Sequence, residues 1–185
     1  DTSSARRAFS LPLYPEHGPY RVRWTHGGRH MLLSGERGGY VCGVDMYSRK
    51  SLFELRLGPT ESVFDSCWLH NETFFAIASR KYAHIFDGRG AEVHVLREHR
   101  RPYALEFLRH HFLLASVGQE GVLRYVDTSS GEKAGEHATK LGPCRVMRAN
   151  PWNAVMALGH TNGTLTMWTP TLPTPTVKLL CHKGP

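Results

Sequence analysis

Four strand-like runs, YVCGVD, YAHIFD, VLRYVD and LTMWT, end at Asp45, Asp87, Asp127 and Thr169, in steps of 42, 40 and 42 residues. A fixed period of this length constrains the fold more than any single motif. Each period is one supersecondary unit that buries its apolar face only by stacking on its neighbours. Each run follows another apolar stretch and a turn: HMLLSGERGG, FFAIASRK, FLLASVGQEG and AVMALGHTNG. Gly39, Gly121 and Gly163 stand six residues before the anchor, where a tight turn asks for positive φ. Lys81 holds that place in the second unit, so there another residue has to take the strain.

A further alternating stretch lies upstream of each pair, YRVRW, FDSCWL, YALEFL and CRVMR, and another downstream, SLFELRL, EVHVL, KAGEHA and TVKLLC. Four short strands per period, parted by Gly, Asn, Asp and Pro, predict an all-β chain of the WD40-type β-propeller class. The units run 18–60, 61–99, 100–141 and 142–185, the last carrying the start of another blade, because the GP of 142–143 returns at 184–185. Residues 1–17 read as an extended lead-in with a strand at FSLPLY. No window of about a dozen residues has apolar positions at helical spacing with caps.

The polar signature of such repeats, a hydrogen-bonded His, Ser or Thr, Asp and Trp, is thin here. Trp168 fills the third-strand Trp position in unit four, where Val44, Phe86 and Val126 stand in the other units. His99 and His182 fit the histidine of the loop entering a blade, and Glu120 and Asn162 fit the turn acid or its substitute. Stability should therefore come mainly from apolar faces, at roughly 1.5–3 kcal/mol per well-buried side chain.

Composition limits the function. With 41% hydrophobic and 21% charged residues the chain is of ordinary globular type, and no apolar run reaches the roughly 20 residues of a membrane-spanning helix. The opening DTSSARRAFS has no apolar signal core and no initiating Met, and with the closing LLCHKGP it reads as part of a longer chain. A net charge of +7 favours a polyanion or an acidic partner. Cys42, Cys67, Cys144 and Cys181 lie 25, 77 and 37 residues apart, a spacing of neither zinc sites nor small disulfide scaffolds, so they read as reduced and mostly buried.

No G-x-S-x-G, H-E-x-x-H or P-loop occurs, and the glycine-rich GERGG leads into a strand instead of a helix N-terminus. No catalytic, cofactor or metal site and no small-molecule substrate is expected. The sequons NET at 71–73 and NGT at 162–164 are weak signals, the second already explained by its turn.

Two basic groups are the candidate contacts. REHRRPY places Arg97, Arg100 and Arg101 in the connection between blades, and LRHHF places Arg109, His110 and His111 in a turn between first and second strands, hence on opposite rims. They are either solvated loops or phosphate-binding groups. Without a local aromatic RNA-binding motif, contact with the RNA backbone is expected over base reading. FDGR, with Phe86, Asp87 and Arg89, resembles the box by which some WD40 proteins dock as substrate receptors on cullin-RING ubiquitin ligases, although a turn alone accounts for its Asp.

Longer phrases are more specific than the repeat. GPYRVRWTHGGRHMLLSG, WLHNETFFAIASRKYAHIFD, LEFLRHHFLLASVGQEGVLRYVDTSSG and TKLGPCRVMRANPWNAVMALGHTNGTLTMWTP closely resemble the nucleolar WD-repeat family of WD repeat-containing protein 46 and U3 small nucleolar RNA-associated protein 7. The resemblance runs from Phe9 to Pro185. It implies about four blades of a seven-bladed ring, the remaining blades and long basic extensions being absent. It also implies a non-catalytic scaffold of the small-subunit processome in the nucleolus, partnered by other processome proteins, the U3 snoRNP and pre-18S rRNA, with no membrane partner.

Overall fold

The computed structural model describes residue 11 and residues 13–183. The strand expected at FSLPLY falls mostly outside the described residues; just after it comes a short 3₁₀ turn at Pro15–His17. Sixteen strands follow in four antiparallel sheets of four, each ordered as in the chain. The first contains β1 (Tyr20–Trp24), β2 (His30–Gly35), β3 (Tyr40–Asp45) and β4 (Lys50–Arg56). The second contains β5 (Val63–Trp68), β6 (Phe74–Ser79), β7 (Tyr82–Asp87) and β8 (Glu92–Arg100). The third contains β9 (Pro102–Leu108), β10 (Leu113–Gly118), β11 (Val122–Asp127) and β12 (Lys133–Ala138). The fourth contains β13 (Cys144–Ala149), β14 (Met156–His160), β15 (Thr164–Trp168) and β16 (Val177–Leu180). These are four blades of a partial β-propeller, as the period requires.

First strands of successive blades lie against one another, β1 on β5, β5 on β9 and β9 on β13. The middle strands fill the space between sheets: every residue of β2 and β3 is buried, whereas β16 is exposed throughout. One apolar cluster joins blades one and two through Leu32, Val41, Phe53, Trp68, Phe75 and Phe86. Another joins blades three and four through Leu123, Tyr125, Met147, Met156, Leu158 and Trp168. Cys42, Cys67 and Cys144 are buried free thiols and Cys181 is exposed.

The repeating anchors have a local cause. The Oδ1 atoms of Asp45, Asp87 and Asp127 accept the backbone N–H groups of Tyr47, Arg89 and Ser129, two residues on, at 2.9, 2.9 and 2.8 Å. Each carboxylate thus closes the turn from third to fourth strand by imitating a backbone carbonyl. These bonds favour the ionised form: the Arg29 guanidinium at Asp45, the Ala91 and Arg89 N–H groups at Asp87, and Ser129 at Asp127 hold each carboxyl below its usual range.

Gly39, Gly121 and Gly163 adopt φ of 60, 63 and 76°, the left-handed region where a Cβ would be strained. The second unit escapes the requirement by shortening its loop to Arg80 and Lys81, with the Ser79 hydroxyl donating to the Tyr82 carbonyl at 2.9 Å. Unit four carries the fullest polar signature: Trp168 Nε1 donates to Thr166 Oγ1 at 2.8 Å, and Thr166 Oγ1 also meets His160 Nε2 at 2.8 Å.

Three residues differ from the sequence reading. Arg97 and Arg100 lie on β8, not in an inter-blade connection, because β8 stays paired through bulges as far as Tyr82 opposite Arg100. His99, on the same extension, is a buried strand residue instead of a loop residue, its Nδ1 2.5 Å from Ser116 Oγ of the next blade. Burial, reinforced by the Arg124 charge, pushes its pKa down to about 3.

Candidate functional site

The site is built on the ends of the four inner strands. Arg23 on β1, Asp65 on β5, Glu106 on β9 and Arg148 on β13 stand 42, 41 and 42 residues apart. Arg23, Glu106 and Arg148 hold matching places in their blades, whereas on β5 that place is Cys67 and Asp65 lies two residues before it. Arg23 reaches Asp65 Oδ2 at 2.9 Å, Glu106 Oε1 at 3.0 Å and the Leu105 carbonyl at 3.2 Å. Arg148 meets the same Glu106 Oε1 at 2.9 Å. Asp65 also accepts the backbone N–H of Leu105 at 3.0 Å, so one ion network ties the inner strands of all four blades. Burial opposes the Arg23 charge, and the Asp65 and Glu106 carboxylates more than offset it, raising its pKa. Cys67 beneath them is a buried thiol whose pKa burial raises, which keeps it protonated and unreactive.

Above this network opens a cleft of about 950 Å³. Its walls are the turns between first and second strands, one from each blade: His26, His70 with Asn71, Arg109 to Phe112, and Asn150 to Ala154. The turns are rigidly specified. Asn71 Oδ1 accepts from Thr73 N at 3.0 Å, Asn150 Oδ1 from Trp152 N at 2.9 Å, and Asn153 Oδ1 from Val155 N at 3.1 Å. Phe112 sits at φ 53°, a strained value for a bulky residue, with its carbonyl fixed at 2.9 Å by both the N–H and the hydroxyl of Thr128. Its ring lies 6.0 Å from that of His70 in the neighbouring blade. Trp152 is 94% exposed, Trp24 50% and Phe112 47%.

Of the sequence candidates, Arg109, His110 and His111 line this cleft. Arg97 and Arg100 are exposed on β8, and Arg101 follows at φ 43° with its N–H on the Lys81 carbonyl. The seven residues of β9 separate Arg101 from Arg109, roughly 20 Å of extended chain, so these two arginines stand at opposite ends of β9. The residues of FDGR have duties within the blade: Phe86 is buried against Phe75, Asp87 closes its turn, and Arg89 alone is exposed.

Sequence reading missed the ion network and the rings Trp24, His70, Phe112 and Trp152. The signal for the network was present as a charged residue recurring every 41 or 42 positions; the rings carry no such regular period. Among the described residues no cluster of three His, Cys, Asp or Glu side chains is placed to hold a metal ion.

No protein-family model matches the chain. It is 43% identical over 185 residues to U3 small nucleolar RNA-associated protein 7 of Saccharomyces cerevisiae, covering all of this chain and 33% of that protein. It is 40% identical over 184 residues to WD repeat-containing protein 46 of Homo sapiens, covering all of this chain and 30% of that protein. The chain thus spans about a third of the relatives it matches. Among solved structures it is similar to the β-propeller domain of Cps50 (Swd1) of Myceliophteria thermophila, with a TM-score of 0.72 and 18% identity over 85% of this chain and 56% of that one. A chain of a mitotic checkpoint complex gives a TM-score of 0.73 and 19% identity over 86% of this chain and 52% of that one. Both likenesses concern the fold.

Proposed function

Since this chain belongs to the family of U3 small nucleolar RNA-associated protein 7 and WD repeat-containing protein 46, we propose that it serves ribosome biogenesis as a non-catalytic scaffold of the small-subunit processome. In this reading it acts in the nucleolus, on particles that carry U3 RNA and pre-18S rRNA. The observation that carries the reading is the 43% identity over the full 185 residues to a protein named for its association with U3 RNA. The structure is consistent with that role: its surface is formed by rigidly closed turns on a packed scaffold, and several rims are displayed at once. Function by shape and charge follows from such a surface, with Arg97, Arg100 and Arg101 on one rim and Arg109, His110 and His111 on the other as candidate contacts.

Affinity recovery of the tagged full-length protein from nucleolar extract tests the reading. Co-purification of U3 RNA and accumulation of unprocessed pre-18S rRNA on depletion are the expected results. Recovery of a ubiquitin-ligase adaptor without any pre-ribosomal RNA would overturn it in favour of docking through Phe86, Asp87 and Arg89.

A further inference from the structure

We propose that the cleft over the inner ion network binds single-stranded RNA by stacking bases on Trp24, Phe112 and Trp152. The inference goes beyond the assignment to ribosome biogenesis and rests on the chemistry of the cleft. Three large rings stand exposed around one depression, Phe112 and Trp152 on turns held in a strained conformation or closed by a hydrogen bond and Trp24 at the end of β1, paired with Met31. Exposed tryptophan on a rigid turn contributes nothing to the core. It offers a flat π-face, and unpaired bases are ligands that every such face accepts.

Charge selects the ligand further. Among the described residues the one carboxylate lining the cleft, Glu106, is neutralised by Arg23 and Arg148. Arg109 is exposed and makes no ion pair among the described residues, and Arg148 remains 62% exposed beside its partner. One or two free cations suit one or two phosphates, too few for a run of carboxylates in an acidic peptide, whereas the ring area suits bases. Asn71, Asn150 and Asn153 use their side-chain oxygens within the turns. Their amide NH₂ groups remain as donors, the type of group that reads a ribose 2′-hydroxyl. The rings come from three different blades, which is why no local aromatic motif announces them.

The test uses the purified full-length protein and a short fluorescein-labelled oligouridylate, with a bromouridine version for photocrosslinking. Crosslinks are expected on the 109–112 and 150–154 turns. Trp152→Ala should weaken binding about tenfold, and Trp152→Phe should restore most of it; at 94% exposure neither change threatens folding. Arg109→Ala should make the slope of log affinity against log salt shallower by about 0.7. Affinity unchanged in both Trp152→Ala and Trp24→Ala, crosslinks confined to other surfaces, or Trp152-dependent binding of oligoglutamate in place of oligouridylate would each overturn the proposal. Co-purification with U3 RNA is a separate readout. If it persists while oligouridylate binding fails, only this inference falls; if it is lost while oligouridylate binding holds, only the ribosome-biogenesis reading falls.

Discussion

Between blades one and two the core is a stack of hydrocarbon rings, with Phe53 4.7 Å from Phe75 and Phe75 5.4 Å from Phe86, all nearly parallel. Between blades three and four the same space is filled by Tyr125, Met147 and Trp168, and the ring atoms there are partly polar. Trp168 needs Thr166 for its N–H, and His137 stacks on it at 6.0 Å. Phe86 and Trp168 hold matching places on β7 and β15 and are 2% and 1% exposed. The place is buried in every blade, with Val44 and Val126 there in blades one and three; the comparison teaches that where a large ring fills it, the hydrogen-bond network around that ring is optional. Where the network exists it orients the ring; where it is missing, ring-on-ring packing sets the orientation, each aromatic pair adding about 0.5–1.5 kcal/mol beyond its burial.

The largest expected effect comes from breaking the hydrocarbon side. Phe75 is fully buried at the centre of the stack, so Phe75→Ala should destabilise the full-length protein by about 3–5 kcal/mol in chemical unfolding. A loss below about 1 kcal/mol would mean that the stack is not what joins these blades. On the polar side, Thr166→Val leaves His160 Nε2 and Trp168 Nε1 without their shared partner. A loss of about 1–3 kcal/mol is expected from the unmet buried groups, and no loss would show that Trp168 is held by packing alone.

A third effect depends on pH and comes from the interface between the two compared pairs. His99 on blade two is neutral when folded, with its pKa pushed down to about 3, against about 6.5 in the unfolded chain. Between these values the unfolded state binds the extra proton. The contribution of His99 is therefore fully present above about pH 6.5 and is lost as pH falls, by about 1 kcal/mol per pH unit. Burial lowers the pKa of His160 too, which acts in the same direction. Unfolding midpoints of His99→Gln measured from neutral to mildly acid pH should fall less steeply than those of the unsubstituted protein; parallel curves would remove His99 from the account. The smallest effect is expected at Tyr125, whose hydroxyl is buried without a hydrogen-bond partner. Tyr125→Phe should leave stability unchanged or raise it by up to about 1 kcal/mol, and a clear loss would show that the hydroxyl is satisfied in solution.

Legibility of the sequence followed the range of the interactions. β1, β3, β7, β11 and β12 match the runs YRVRW, YVCGVD, YAHIFD, VLRYVD and KAGEHA residue for residue, since alternation and turn residues act within a strand and its hairpin. β8 was legible only as far as Leu96, because its last residues stay in the sheet through pairing with β7, not through their own pattern. That extension moved Arg97 and Arg100 from a loop to a strand and put His99 into the core. Of the site, Arg109, His110 and His111 were visible as a basic cluster in a turn. Trp24 and Trp152 were each visible only as a residue at the end of a strand or in a loop.

By itself the sequence determined the period, the strand pairs and the Asp-closed turns, because an Asx turn reaches two residues and a hairpin about ten. The tertiary structure decided which of the charges pair and which rings share a surface. Arg23 meets Asp65 and Glu106 across 42 and 83 residues, and Trp24, Phe112 and Trp152 surround one cleft only after the four inner strands have converged. Such neighbours are fixed by how sheet packs on sheet, and the backbone between them carries no local trace of the meeting.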